Sequence, residues 1–373
     1  MQISIIREEN KNEQRVASTP DVIKLLERFG AEVLIESGAG DLSDYSDKLY
    51  ESVGAKIVNR LECLQSDICL CVRMPSQSDI SEMKKGAILI GILNPYENKN
   101  YFSDLNKNNI TSCCMELIPR ISRAQSMDVL SSQANLAGYK SVIDAAEKFG
   151  KAFPMMMTAA GRVNPAKVMI LGVGVAGLQA IATAKRLGAV VSATDVRSAT
   201  KEQVESLGGK FIMVEDEESK EAETSGGYAK EMSEEYKKKQ AILIAETVAK
   251  QDIVICTALI PGRPAPLLIS EEMVNSMSKG SIIVDLAVES GGNCSLSRVD
   301  EIVKHNGVKI IGYANVPGRI AKDASSLYAK NIVNFLSLMI NSEEKKINID
   351  WEDEIINSVV LTHNGQVKLE KFI

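Results

Sequence analysis

The run Val168-Met-Ile-Leu171 passes directly into Gly172-Val-Gly174-Val-Ala-Gly177, and this stretch decides the fold. The four apolar residues predict a buried strand, and the helical pattern of Leu178–Leu187 predicts a helix after the glycines. A second apolar run, Val190–Thr194, predicts the next strand and ends at Asp195. Strand, glycine turn, helix and strand together predict a βαβ unit of a Rossmann-type domain.

The spacing of the three glycines suits a bound dinucleotide. Gly172 permits the tight turn, Gly174 lets the backbone approach a pyrophosphate, and Gly177 lets the helix pack on the strand. The helix N-terminus then faces the phosphates with free N–H groups. Asp195, roughly 20 residues further on, is placed to bond the ribose hydroxyls and would repel a 2′-phosphate. The pattern therefore predicts NAD(H) rather than NADP(H). The neighbouring Arg197 could weaken this preference, although an arginine in this position is more often simply solvated.

Length and composition limit the number of domains and the kinds of partner and metal site to expect. A chain of 373 residues with 45% apolar residues is expected to form two domains. The net charge of −6 argues against nucleic acid as the main partner. Seven cysteines form no C-x-x-C pair and only two histidines join them, so no metal site is expected. Cys69 and Cys71 alternate within an apolar run and are interpreted as buried strand residues.

No targeting or membrane segment is expected. The N-terminus lacks the features of a signal peptide, and no apolar run approaches the ~18 residues of a membrane span. We therefore expect a soluble cytoplasmic chain.

The order of predicted elements is that of an α/β protein. Strands alternate with helices in two series, which predicts two Rossmann-like domains with parallel sheets and a cleft between them. The second domain, 140–322, is expected to be inserted into the first, which comprises 1–139 and 323–373. A long helix over Ser126–Phe149 is expected to leave the first domain. The last helix, Ser325–Ile340, is followed by a predicted polar tail that holds His363, and His305 is placed at a polar helix end.

A charged segment interrupts the second series. Residues 215–239 are dense in charge and contain Ser225-Gly-Gly-Tyr228, a composition that does not bury a core. One interpretation is a surface insertion without function. The other is a mobile lid, in which glycines supply the hinge and Tyr228 covers the nucleotide.

Taken together, these residues resemble the NAD(H)-binding α subunit of proton-translocating NAD(P) transhydrogenases, in its split form, and more distantly alanine dehydrogenases. The resemblance extends to about Ile340 and is most specific over Pro119–Tyr139. Further matching segments are Cys256–Pro266 and Val284–Asn293. The resemblance implies that Arg120, Gln125 and Asp128 meet the nicotinamide end. The cofactor-binding residues that we expect are Ser131, Gly172, Gly174, Val175, Ala176, Gly177, Asp195, Val196, Arg197, Gly227, Tyr228, Thr257, Ala258 and Leu259.

The same resemblance implies the partners. It implies a homodimer, an NADP(H)-binding β subunit and membrane-spanning transhydrogenase subunits, with transfer coupled to proton translocation. Contact with the cytoplasmic face of the membrane would then be made only through those partners.

Two alternatives stay open. An alanine dehydrogenase-like enzyme needs a general acid or base, yet the catalytic histidine of that family would fall near Gly91–Leu93, where this chain has none. Arg15 could match that family's substrate-binding arginine, and Arg73 stands where it has a lysine. A non-enzymatic NAD-sensing module would bind NADH without hydride transfer. Transfer between two nicotinamide rings requires positioning alone, and the scarcity of acid/base residues therefore favours transhydrogenase.

Overall fold

A computed structural model describes residues 1–214, 233–260 and 262–372 of the chain. The chain divides into two compact units. Unit 1 comprises Met1–Gln133 and Pro317–Ile373, and unit 2 comprises Ala134–Val316. The fold is mixed α/β with two sheets dominated by parallel strands.

Unit 1 is built on an eight-stranded sheet. Its strands, numbered along the whole chain, are β1 (Gln2–Ile5), β2 (Glu32–Glu36), β3 (Lys56–Val58), β4 (Ile68–Arg73), β5 (Ile88–Ile92), β6 (Thr111–Cys114), β18 (Val360–His363) and β19 (Gln366–Val367). They lie in the order β3-β2-β1-β4-β5-β6-β18-β19. The first six are parallel to one another, β18 is antiparallel to β6, and β19 is antiparallel to β18. The strand order reverses between β1 and β4, as in doubly wound sheets.

Helices cover this sheet, and a separate hairpin precedes its last strands. The helices are α1 (Pro20–Arg28), α2 (Asp47–Ser52), α3 (Arg60–Leu64), α4 (Gln77–Glu82), α5 (Phe102–Lys107), α11 (Ala321–Leu336) and α12 (Glu354–Val359), and the hairpin is β16 (Ile340–Asn341) with β17 (Lys346–Ile347). Helix α6 (Val129–Lys148) begins in unit 1 and continues into unit 2. The hydroxyl of Tyr328, in α11, donates to the carbonyl oxygen of Cys71 (2.8 Å), so this late helix belongs to the core of unit 1.

Unit 2 repeats the same topology with seven strands in one sheet. These are β9 (Lys167–Leu171), β10 (Val190–Thr194), β11 (Lys210–Phe211), β12 (Ile253–Cys256), β13 (Ile282–Asp285), β14 (Ile302–His305) and β15 (Val308–Ile311), in the order β11-β10-β9-β12-β13-β15-β14. Only β14 is antiparallel among them. The helices are α7 (Val175–Arg186), α8 (Lys201–Ser206), α9 (Glu234–Val248) and α10 (Glu271–Ser276), and β7 (Met156–Thr158) pairs with β8 (Gly161–Val163) as a separate hairpin.

Apolar burial agrees with the predicted strands. The predicted strand Val168–Leu171 lies within β9, and the predicted strand Val190–Thr194 is β10 with the same bounds. Cys69 and Cys71 are fully buried in β4, which confirms their interpretation as core residues. No helix in the described part of the chain combines the length and apolar character needed to cross a bilayer.

Both histidines lie in strands, so their predicted surroundings are wrong. His305 ends β14, and Asn306-Gly307 forms a two-residue turn to β15 with φ of +47° and +83°. His363 ends β18 instead of lying in a polar tail, and Asn364-Gly365 forms the equivalent turn to β19. Asn-Gly favours such hairpins because both residues adopt positive φ. This dipeptide is the signal from which both turns could have been predicted.

The predicted boundaries of two helices and one loop also differ from those in the structure. The stretch Ser122–Met127 is a 3₁₀ helix, and α6 begins only at Val129. The last long helix ends at Leu336 because Ile340 already pairs in β16. The predicted loop to residue 239 is too long because Ser233 caps α9, its hydroxyl accepting a hydrogen bond from the Tyr236 N–H (3.1 Å). Residues 215–232 lie outside the described residues.

Two carboxyl groups of unit 1 lie at the carboxyl edge of the sheet and bond to the main chain. Glu8, after β1, accepts from the N–H groups of Val72 (2.6 Å) and Arg73 (3.1 Å). Glu116, after β6, accepts from Leu93 (3.3 Å) and Asn94. Burial raises the pKa of Glu8 to about 8 and the pKa of Glu116 to about 7, against the lowering effect of these hydrogen bonds. Both groups therefore change charge near neutral pH.

A buried ion cluster lies beside them. The carboxylate of Glu13 accepts from Nε (2.7 Å) and Nη2 (2.6 Å) of Arg15 and from Nε of Arg73 (2.9 Å). Arg15 is 3% exposed and also donates to the side chain of Gln133 (2.8 Å). Burial would raise the pKa of Glu13, but the hydrogen bonds and charge of Arg15 lower it below its ordinary value. Glu13 thus stays ionised and holds both arginines in place.

Replacing Glu8 is expected to change how stability depends on pH. A carboxyl group whose pKa is raised from 4.5 to about 8 on folding stabilises fully below pH 4.5, and that contribution disappears as the pH rises to about 8. Glu8→Gln does not ionise. Between about pH 5 and pH 8.5 the variant should lose less stability than the parent, by about 4 kcal/mol. Urea unfolding at both pH values measures this difference. Glu9→Gln, whose side chain is 56% exposed, serves as the control and should follow the parent. A Glu8→Gln profile parallel to the parent would contradict the raised pKa.

Candidate functional site

The glycine turn follows β9 at the centre of the unit 2 sheet. Gly172 has a φ of +98°, a left-handed conformation that favours glycine. Its N–H donates to the carbonyl oxygen of Thr194 (3.0 Å), and its own carbonyl oxygen accepts from the hydroxyl of Thr257 (2.9 Å). The turn is therefore held by residues from β10 and from the loop after β12. It lies where the strand order reverses, which is where doubly wound sheets bind ligands.

Two glycines allow backbones to pack at distances that no side chain permits. A Cβ at Gly177 would lie 2.0 Å from the carbonyl oxygen of Gly172, and a Cβ at Gly138 would lie 2.0 Å from that of Ala176. Gly138 belongs to α6, so α6 packs directly on the first turn of α7. No role was predicted for Gly138, although a glycine inside a helix costs ~1 kcal/mol and signals a packing constraint.

The start of α7 faces open space. No atom of the described residues lies within 4 Å of a Cβ built at Gly174, which is the N-cap residue and supplies no side-chain cap. The first N–H groups of a helix have no partner within the helix and carry the positive end of its dipole. Val175, Val196 and Leu259 expose 39%, 87% and 54% of their surface around this turn. An uncapped helix end with exposed apolar neighbours fits a phosphate-containing ligand with a flat ring.

Asp195 is already hydrogen-bonded. Its carboxylate accepts from the N–H of Val173 (2.7 Å) and from the main-chain N–H and Nε of Arg197 (both 2.9 Å). Burial would raise the pKa of Asp195, but the hydrogen bond from the Arg197 side chain, with those from the main chain, lowers it below its ordinary value. Arg197 is thus an ion-pair partner of Asp195, and 46% of its side chain remains exposed to solvent.

The loop after β12 is fixed by residues for which no role was predicted. The side chain of Asn293 accepts from the N–H of Ala258 (3.1 Å) and donates to its carbonyl oxygen (2.9 Å). The N–H of Asn293 in turn donates to the fully buried Asp285 (2.8 Å). The segment Val284–Asn293 contains both residues, but their partner is distant in sequence. Only the fold therefore identifies this support for Thr257, Ala258 and Leu259.

The remaining predicted residues lie in unit 1, on the 120–128 loop and the start of α6. Asp128 accepts from the N–H (2.9 Å) and the hydroxyl (2.5 Å) of Ser131, so its carboxylate caps α6. Arg120 and Gln125 are exposed, and their side chains form no hydrogen bond or ion pair with another residue in the described ranges. An ion pair between Arg120 and Asp128 is therefore not present. Gly227 and Tyr228 lie outside the described residues.

Both histidines lie at the opposite edge of their sheets from these groups. His305 pairs with Val308, the first residue of the parallel strand β15. His363 Nδ1 is 3.0 Å from the hydroxyl of Thr111, the first residue of the parallel strand β6. The glycine turn and the 120–128 loop instead follow the carboxyl ends of β9 and β6. In neither unit does a histidine share the edge that carries the predicted site residues.

Alanine substitutions at Gly177 and Gly174 compare a closely packed position with an open one. Gly177→Ala places a methyl group against a backbone oxygen that cannot move freely, and we expect it to destabilise the chain by about 1–3 kcal/mol. Gly174→Ala meets no neighbour and should change stability by less than about 1 kcal/mol. Urea unfolding of both variants measures this contrast, and equal losses would contradict the close packing described for α7.

Comparison with known proteins agrees with this geometry. The family model described as alanine dehydrogenase/PNT, N-terminal domain, matches residues 4–137, and the model of the C-terminal domain matches residues 141–370. The chain is 28% identical to the alanine dehydrogenase of Bacillus subtilis, with 99% of this chain and 93% of that protein covered.

Transhydrogenase subunits are more similar. The first part of the NAD(P) transhydrogenase subunit alpha of Rhodospirillum rubrum is 53% identical, over 98% of this chain and 97% of that protein. The crystal structure of a transhydrogenase from Sinorhizobium meliloti superposes with a TM-score of 0.91 at 51% identity, over 98% of this chain and 100% of that one. This chain therefore belongs to the alanine dehydrogenase/PNT family, and within it to the NAD(P) transhydrogenase α subunits.

Proposed function

We propose that this chain binds NAD(H) at the glycine turn of unit 2 and passes a hydride between it and NADP(H) held by a partner chain. In that reaction a hydride leaves C4 of one nicotinamide ring and joins C4 of the other, and no heteroatom gains or loses a proton. The protein then has to bind, orient and exclude water, and it needs no general acid or base.

The observation that carries this proposal is the position of the two histidines. Dehydrogenation of an amino acid or hydroxy acid requires a proton acceptor beside the ring that takes the hydride. His305 and His363 lie at the amino edges of their sheets, whereas the candidate site residues follow the carboxyl ends. Glu8 and Glu116 titrate near neutral pH, but each already accepts two main-chain hydrogen bonds. The arrangement favours a reaction that moves no proton.

The cofactor preference rests on unit 2. The uncapped α7 N-terminus and the space before Gly174 are suited to a pyrophosphate. The ionised Asp195 is suited to accept from ribose hydroxyls and to repel a 2′-phosphate, while Arg197 directs its charge at Asp195. These contacts support NAD(H) over NADP(H) in this chain. On the 120–128 loop, Arg120 and Gln125 have no partner among the described residues and are suited to bind the nicotinamide end.

We also propose the assembly implied by the family. NADP(H) binds to a separate β subunit, and membrane-spanning partners couple transfer to proton translocation and hold this chain at the cytoplasmic face of the membrane. An amino-acid dehydrogenase and an NAD-sensing module are the rival functions, and the same assays distinguish them.

The test is a mixing experiment. The purified chain is combined with the NADP(H)-binding partner, and hydride transfer from NADH to an NADP⁺ analogue is followed by absorbance. Rapid transfer that requires both chains is expected. NADH oxidation with pyruvate and ammonia by this chain alone would instead indicate a dehydrogenase. NADH binding without transfer in either assay would leave only the sensing function.

Asp128→Asn should slow transfer roughly 10-fold or more while leaving NADH affinity within two-fold, because it alters ring positioning rather than nucleotide binding. The amide keeps an acceptor for Ser131, so the start of α6 stays capped. Gln125→Asn is expected to act in the same way. Arg123→Gln is the control on the same loop. It breaks the ion pair between Arg123 and Asp353, in which the arginine side chain is 52% exposed. Exposed ion pairs of this kind contribute little to stability. Unchanged transfer rates in both the Asp128 and Gln125 variants would remove these residues from the site.

The homodimer proposal rests on the β7–β8 hairpin. Its strands pair with no other strand in the described part of the chain, and an isolated two-stranded hairpin is marginally stable. Met155, Met156 and Met157 are 51%, 43% and 69% exposed. Methionine is enriched at protein interfaces. We propose that a second copy of the chain covers these side chains.

Met157→Lys should therefore convert the dimer into a monomer at micromolar concentration, because it places a charge in an apolar interface. Sedimentation velocity measures the change. Leu61→Lys alters a side chain that is 53% exposed in unit 1 and should leave the dimer intact. A Met157→Lys variant that stays dimeric would place the interface elsewhere.

A further inference from the structure

The 120–128 loop of unit 1 is held by hydrogen bonds from α11. Its 3₁₀ helix buries Ala124 and Met127 in the core of unit 1, while Arg120 and Gln125 remain exposed. The carbonyl oxygen of Ser126 accepts two hydrogen bonds from side chains of α11 instead of from the loop itself. The conformation that presents the exposed side chains therefore depends on a helix about 200 residues further along the chain.

Asn331 supplies the shorter of these bonds. Its Nδ2 donates to the Ser126 carbonyl oxygen at 2.8 Å, and its Oδ1 accepts from the hydroxyl of Ser132 at 2.7 Å. Asn331 is 7% exposed, whereas Asn334, which donates to the same carbonyl at 3.1 Å, is only half-buried. One buried amide thus binds the residues on both sides of Asp128, from Ser126 before it to Ser132 after it.

This arrangement links the segment around Asp128 to α11, which its own cap does not do. The Asp128 carboxylate and Ser131 move together with the first turn of α6, so their contact does not fix that turn relative to the loop. The Asn331 amide does fix this turn relative to the loop, because its donor Nδ2 and its acceptor Oδ1 belong to one rigid planar group. A side chain outside the reacting site can affect the rate strongly if it positions a residue inside the site. A misplacement of a reacting group by ~1 Å can lower the rate about 100-fold.

We propose that Asn331 is a positioning residue for hydride transfer, which holds the 120–128 loop and Asp128 in the geometry that the nicotinamide end requires. The proposal rests on the proposed function above. It assigns the rate effect to α11 and predicts no direct contact between Asn331 and the cofactor. Affinity for NADH, which depends on unit 2, is separate from it.

Asn331→Leu keeps the side-chain size and removes both hydrogen bonds. We expect transfer by the complex with the NADP(H)-binding partner to fall 10- to 100-fold, NADH affinity to stay within two-fold, and amide hydrogen exchange over 120–128 to accelerate at least 10-fold. Of the two bonds made by Asn331, Ser132→Ala removes only the one to Oδ1, and it should slow transfer about 3-fold. It keeps the test valid if the leucine variant does not fold.

Asn108→Leu is the matched control. Its amide donates to a main-chain carbonyl of α4, that of Ile80, at 2.7 Å, so the same change breaks a similar bond in unit 1 far from the loop in sequence. It should leave transfer and loop exchange within two-fold of the parent. Equal loss of transfer in both leucine variants, or an unchanged rate in Asn331→Leu, would overturn the proposal. If the parent pair transfers no hydride, the proposed function fails, and the exchange rates alone then decide whether Asn331 holds the loop.

Discussion

The carbonyl oxygen of Gly172 leaves room at residue 177 for a hydrogen atom and not for a methyl group. This close approach brings the start of α7 against the end of β9, and the other features of unit 2 depend on it. Because the helix begins there without a side-chain cap, its free N–H groups point into the space before Gly174. Gly138 applies the same constraint from α6, so two helices and a strand meet at one turn with almost no side-chain volume between them.

Unit 1 has the same strand order, but the carboxyl edge of its sheet carries ionisable groups instead of a glycine turn. Its carboxyl edge is filled with ionisable groups that bond to each other or to the main chain, including Glu8, Glu13, Arg15 and Glu116. Such groups are costly to bury unless they are hydrogen-bonded. The return of the chain after residue 316 completes this unit, since α11 carries Tyr328 to the end of β4 and β18 extends the sheet beyond β6. The C-terminal residues are therefore structural parts of unit 1.

The two units also divide the proposed chemistry. Unit 2 offers a helix N-terminus, an ionised acid and exposed apolar side chains, which suit binding of a nucleotide. Unit 1 offers a loop whose Arg120 guanidinium and Gln125 amide bond to no other side chain in the described ranges, which suits orientation of a nicotinamide ring. Neither offers a histidine at the relevant edge of its sheet. A reaction whose only transferred species is a hydride is consistent with this set of groups.

Local sequence determined much of this protein. The glycine spacing after Leu171, the apolar strands and the acid at Asp195 predict a dinucleotide-binding α/β domain because each signal acts over a few neighbouring residues. The hairpin turns at Asn306-Gly307 and Asn364-Gly365 are equally local, because both residues of each dipeptide adopt positive φ. Tertiary structure alone decided that Asn293 supports Ala258 and that Asn331 holds Ser126. Each of these pairs depends on which side chains the folded sheet brings within hydrogen-bonding distance, and no short-range pattern encodes that distance.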